Sequence, residues 1–227
     1  MGVGSMKLSV MRNGDARVGF AELFFDLVFV FAITQVSHFL LYHFTAEGAV
    51  EAAFMFLAVW WVWIYTTWVL NWLNPDRGPV RIMLFGMMLG GLFLSMAIPE
   101  AFGDRGIVFA GAFVAMQVGR TLFMFAAARG DAMLRLTYIR ILIWLSFGGL
   151  FWIAGGMIAP EYRLPVWLLA LAIDYAAPVM AYSVPGLGRD VTTNWKVSGG
   201  HIAERCGLFV IIALGETLLI SGATFAG

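Results

Sequence analysis

The stretch Phe20-Ala-Glu-Leu-Phe-Phe-Asp-Leu-Val-Phe-Val-Phe-Ala-Ile33 is apolar enough to enter a membrane, yet it carries two acids, Glu22 and Asp26. Residues four apart share one face of a helix, and Phe29, Ile33 and Ser37 continue that face. Ionised carboxylates in a lipid-embedded helix are costly, so they come with a partner or a task. Function is therefore sought first at this pair.

The rest of the chain has the same character. Of 227 residues, 61% are hydrophobic and 12% charged, which excludes an ordinary soluble domain. A helix needs about 20 apolar residues to cross the hydrocarbon core. The segments 19–41, 49–73, 80–99, 106–128, 135–159, 164–183 and 204–226 reach or approach that length. The expected fold is all-α, a polytopic membrane bundle of about seven transmembrane helices with the lipid bilayer as its partner. Its parts are a tail over 1–18, a six-helix unit over 19–183, a hinge loop over 184–203 and a seventh helix over 204–227. A net charge of zero excludes a generally basic nucleic-acid binder. The single cysteine, Cys206, forms no intrachain disulfide. Lys7, Arg12 and Arg17 precede the first apolar run in the manner of a signal peptide. The acids in that run, its length and its lack of a small-residue cleavage site argue for a retained first helix.

Basic residues fall unevenly about the spans. Lys7, Arg12, Arg17, Arg77, Arg81, Arg129, Arg135, Arg140, Arg189, Lys196 and Arg205 belong to the N-terminal side, and only Arg105 and Arg163 to the other. The positive-inside rule then predicts a cytoplasmic N-terminus. Short loops such as Asn74-Pro-Asp-Arg-Gly-Pro79 make successive helices antiparallel neighbours.

After the hinge, Glu204-Arg-Cys-Gly-Leu-Phe-Val-Ile-Ile-Ala-Leu-Gly-Glu216 repeats the pattern of the first helix, an acid and then an apolar run. Six helices separate the two, and an even number makes such repeats parallel. The chain then comprises one six-helix unit and the first helix of a second.

Glu22-Leu-Phe-Phe-Asp-Leu-Val-Phe-Val-Phe-Ala-Ile-Thr-Gln35 resembles the opening helix of the bacterial low temperature requirement A (LtrA) family, a group of polytopic membrane proteins. His201-Ile-Ala-Glu-Arg-Cys-Gly-Leu-Phe-Val-Ile-Ile-Ala-Leu-Gly-Glu216 resembles its second signature. The resemblance covers the whole chain and is strongest at these two helices. It implies a multi-pass protein of the bacterial inner membrane, linked to growth in the cold. It also implies a half-length member, because the family carries a second helical unit beyond the second signature. Helix 1 alone is similar to the first helix of cation channels built from six-helix repeats, with Phe25 where those carry serine.

The candidate site residues are Glu22, Asp26, Arg120, Asp174, Glu204, Arg205 and Glu216. Arg120, Arg140, Arg205 and Arg81 are candidate partners for the two acids of helix 1, and the depth of Arg120 favours it as one of them. Asp174 and Glu216 lie near mid-membrane, where an acid serves as an interhelical hydrogen-bond donor, a proton relay or a cation ligand. His201 and Glu204 are placed near the cytoplasmic surface, and His38 and His43 near the outer one. No metal site and no cofactor are expected. The tryptophans of helix 2, Trp60, Trp61, Trp63, Trp68 and Trp72, read as packing, and Gly86, Gly90 and Gly91 as a face for close helix approach.

No phosphate-binding glycine loop, nucleophile elbow or zinc-protease motif is present. Helix 7 has no lysine for a retinal Schiff base. The expectation is a non-enzyme, a transporter or channel-like protein for a cation, proton or small polar solute. The alternative is a non-transporting scaffold or stress-adaptation factor whose charged network is structural. A homodimer is expected, since a lone seventh helix leaves Glu204 and Glu216 short of neighbours. Strictly monomeric behaviour in nanodiscs counts against it.

Overall fold

The computed structural model describes residues 18–190 and 198–226. The basic tail with Lys7, Arg12 and Arg17, and the part of the hinge that includes Lys196, lie outside them. Among the described residues the order is α1 (Phe20–Tyr42), α2 (Ala46–Leu70), α3 (Gly78–Ala97), α4 (Gly106–Ala127), α5 (Ala132–Met157), α6 (Pro160–Val179) and α7 (Gly199–Ala226). A short 3-10 turn, Ile98–Glu100, follows α3. This is the all-helical bundle that the apolar segments predict. α7 begins five residues ahead of the expected 204, because His201 and its neighbours extend the helix back to Gly199.

Among the described residues, α1 to α5 are each long and apolar enough to cross a membrane on their own. α6 carries Glu161, Arg163 and Asp174, and α7 carries Glu204, Arg205 and Glu216. α6 packs on α5 and α2, and α7 packs on α1 and α2.

Local chemistry sets the boundaries. The Thr45 hydroxyl accepts the Gly48 N–H at 3.0 Å to start α2, and Asp131 accepts the Leu134 N–H at 3.0 Å to start α5. Such caps satisfy amides that have no partner inside the helix. Prolines occupy the first turns of α3 and α6, where the missing N–H costs nothing.

α2 runs through the middle, touching α1, α4, α6 and α7, while α3 bridges α1 and α4, and α5 bridges α4 and α6. Lipid tails are as apolar as leucine, so close packing and hydrogen bonds hold such a bundle together. A Cβ on Gly90 would stand 2.6 Å from Met116 Cγ, so glycine lets α4 approach α3 there. One residue on, Gly91 faces Val28 and Phe29 of α1.

The end of the bundle opposite the α1 N-terminus is pinned by Arg163. This buried side chain donates to the carbonyls of Ala101 (2.9 Å), Gly103 (2.6 Å), Gly155 (3.0 Å) and Ile158 (3.2 Å). It gathers the loop after α3, the end of α5 and the start of α6. Beside it, Phe54, Phe102, Phe109, Phe113, Trp152 and Trp167 form a continuous aromatic core.

A pair of substitutions checks the close approach of α1 and α3. A Cβ at Gly91 already lies 3.1 Å from Val28 Cγ1 and 3.2 Å from Phe29 Cε2, whereas one at Gly86 meets nothing within 4 Å. Gly91→Leu is expected to destabilise by about 1–3 kcal/mol, the usual range for overpacking. Gly86→Leu is expected to leave the melting temperature in detergent unchanged.

Candidate functional site

Glu22 lies in the first turn of α1, where its Oε2 accepts the Gly19 N–H at 2.8 Å. Asp26 lies one turn deeper on the same face. Both carboxylates point away from lipid toward α7, which presents His201 and Arg205 one turn apart. The Arg205 guanidinium spans the two acids. Its Nη1 donates to Glu22 Oε1 at 3.0 Å, its Nε to Asp26 Oδ2 at 3.1 Å, and its Nη2 to Asp26 Oδ1. This two-point hold on Asp26 is the fork-to-fork geometry that suits arginine and not lysine. His201 Nε2 approaches Glu22 Oε1 at 3.2 Å.

α2 completes the enclosure. Trp63 Nε1 donates to Asp26 Oδ1 at 2.7 Å. The rings of Phe25 and Trp63 stand 5.9 and 6.0 Å from the Arg205 guanidinium carbon. One turn beyond Arg205, Phe209 packs on the Trp63 ring at 4.4 Å. The Ser198 amide donates to Asn71 Oδ1 at 3.0 Å and so ties the start of α7 to the end of α2.

The side chains of Glu22, Asp26, His201 and Arg205 are all fully buried. In so low a dielectric each attraction is strong, and so is the cost of losing any one member. The carboxylate lone pairs face guanidinium, indole, imidazole and amide donors. Among the described residues no group of three or more His, Cys, Asp or Glu is arranged to hold a metal ion.

The other candidates go elsewhere. Arg120 is buried but does not pair with Glu22 or Asp26, because α2 stands between them. Trp63 faces the acids, whereas Val62, Tyr65 and Thr66 face α4. Arg120 donates to Val62 O (3.3 Å), Thr66 Oγ1 (3.0 Å) and Gln117 Oε1 (2.5 Å), and it stacks 4.7 Å over the Tyr65 ring. Asp174 is buried in α6, accepting from Trp152 Nε1 at 2.9 Å.

Glu204 is exposed. It lies about 100° round the helix from Arg205 and takes no part in the cluster. Glu216 is half-buried on α7, about three helical turns beyond Arg205, and does not reach the acids of α1. Arg140 holds the hinge by donating through Nε to Leu187 O at 3.0 Å, with Asp190 Oδ1 4.0 Å away. Arg81 pairs with Asp76 at the surface.

Two members of the site, His201 and Trp63, were not among the candidate site residues. His201 stands four residues before Arg205, a helical spacing that places it on the same face, once α7 is seen to start at Gly199. Trp63 carries no such signal, since nothing separates it from the other tryptophans of α2 until Asp26 is opposite.

Comparison with known proteins follows the same outline. Residues 17–227 match the family model described as bacterial low temperature requirement A protein (LtrA). The chain is 46% identical over 212 residues to the uncharacterized protein RA0937 of Rhizobium meliloti (strain 1021), an alignment covering 93% of this chain and 52% of that one. The chain thus spans about half the length of this relative. No solved structure matches.

Removing one partner from the cluster tests its energetics. Arg205→Met leaves two buried carboxylates without their cation and is expected to cost about 3–5 kcal/mol. Combining it with Glu22→Gln and Asp26→Asn removes the uncompensated charge and is expected to recover most of that loss. Thermal unfolding of the purified variants in one detergent measures both.

Proposed function

The chain belongs to the bacterial low temperature requirement A family, and on that premise we propose that it is a transport- or channel-like protein for a small polar or charged solute. It is placed in the bacterial cytoplasmic membrane with its N-terminus inside, on the distribution of arginine and lysine. The observation that carries the reading is the enclosure of Glu22, Asp26, His201 and Arg205 between α1 and α7. Buried ion pairs are weak evidence for stability, because desolvation consumes much of their attraction. In membranes, ionisable groups facing a bundle interior mark pathways and relays.

The geometry changes the part these acids play in that reading. With their lone pairs engaged by protein donors, Glu22 and Asp26 serve as a closed latch between α1 and α7, and not as an open cation site. A solute or proton passing this end has to exchange with one of those bonds.

A second reading has an observation of its own. Complete burial of all four side chains is also what a permanent structural clasp requires, as in a scaffold or stress-adaptation factor.

Flux separates the two. The purified chain in proteoliposomes is expected to carry K⁺, H⁺ or Cl⁻ faster than protein-free vesicles. Glu22→Gln with Asp26→Asn, which weakens the latch while keeping its shape, is expected to raise that flux several-fold. Wild-type and variant vesicles both at the protein-free background favour the clasp and remove the transport reading.

A further inference from the structure

The second buried charge has a different environment from the first. Glu22 and Asp26 receive a cation, whereas Arg120 receives no carboxylate within ion-pair distance among the described residues. Its Nη1 and Nη2 donate to neutral oxygens of Val62, Thr66 and Gln117. Asp174 acts on it only through space, with its own Oδ2 held by Trp152 Nε1 at 2.9 Å.

Around this guanidinium the structure leaves donors unused. Arg120 Nε, Gln117 Nε2, Tyr65 Oη and Tyr138 Oη are all buried, and none has a hydrogen-bond partner among the described residues. Tyr65 lies under the guanidinium at 4.7 Å, and Tyr138 lies within electrostatic reach of both. Buried polar groups are normally satisfied. An unsatisfied one costs about 1–3 kcal/mol, and in hydrocarbon no bulk water relieves it. Two of these groups, the Arg and Gln nitrogens, can only donate, and a tyrosine hydroxyl donates readily to a strong acceptor. What is missing is therefore an acceptor, and the positive charge favours one that is negative.

Access exists on two sides. A crevice of about 380 Å³ between α3 and α4 includes Arg120 in its lining. A second, of about 260 Å³, lies between α2, α6 and α7 and includes Tyr65 and Tyr182. The stacked Arg120–Tyr65 pair stands between them.

We propose that Arg120, Gln117, Tyr65 and Tyr138 form a binding site for a small monovalent anion of halide size. A guanidinium with unpartnered neutral donors near it in a low dielectric attracts such an ion without a metal or a second charge. Larger divalent anions are disfavoured, because a single cation neutralises only one charge. The site stands apart from the α1–α7 latch, and its occupancy does not depend on whether anything crosses the membrane.

Purified chain in nanodiscs is exchanged into sodium gluconate and titrated with sodium bromide at constant ionic strength. Calorimetric binding and thermal unfolding are read together. Wild-type protein is expected to bind bromide saturably and to melt higher in bromide than in gluconate. The double variant Tyr65→Phe/Tyr138→Phe, which removes two unpartnered hydroxyls and little volume, is expected to stay folded and to bind about tenfold or more weakly, the factor for losing hydrogen bonds to a charged group. Equal melting temperatures in the two salts, with no heat of binding, mean that water satisfies these donors and overturn the proposal. Bromide binding that is undiminished in the double variant also overturns it, by placing the ion elsewhere.

Discussion

One guanidinium joins α1 to α7. Arg205 is 183 residues from Glu22 and 179 from Asp26, yet it hydrogen-bonds both. The constraint behind this is desolvation. Two carboxylates cannot lie ionised in an apolar interior without a cation of suitable shape, and the forked planar arginine meets two carboxylates at once. Much of the local geometry follows. α7 lies along α1, Trp63 turns its indole nitrogen toward Asp26, and Phe209 closes over that indole. α2 is held in the centre because one of its faces serves the acids and another serves Arg120.

How much of this could be read from the letters depends on the distance of the interaction. The helices were legible because apolar length is a local property, and the acids of α1 stood out because they violate it. Arg205 was among the candidate cations, and its position in the second signature matches its role. Arg120 was wrongly expected to pair with Glu22 or Asp26 because depth along the membrane says nothing about which helix stands between two residues. Only the packing reveals that α2 does. Glu204 was misassigned because adjacent residues in a helix face different ways, so only one of the pair 204/205 could join the site. The position of His201 became readable only with the true start of α7.

The two ends of the bundle are secured by different chemistry. Near the start of α1, opposite charges are held side chain to side chain. At the other end, Arg163 is held by backbone carbonyls at four points, which neither titrate nor rotate. Arg163 thus closes loops through the backbone, whereas Arg205 joins helices through side chains.

The long sequence gap between Asp26 and Arg205 has a consequence for biogenesis. During synthesis α1 leaves the ribosome with both acids long before their cation has been made, while the five intervening helices are still emerging. The arrival of α7 supplies the guanidinium that compensates those acids. A helix made late thereby neutralises charge on a helix made early, and the contact between them spans most of the described sequence.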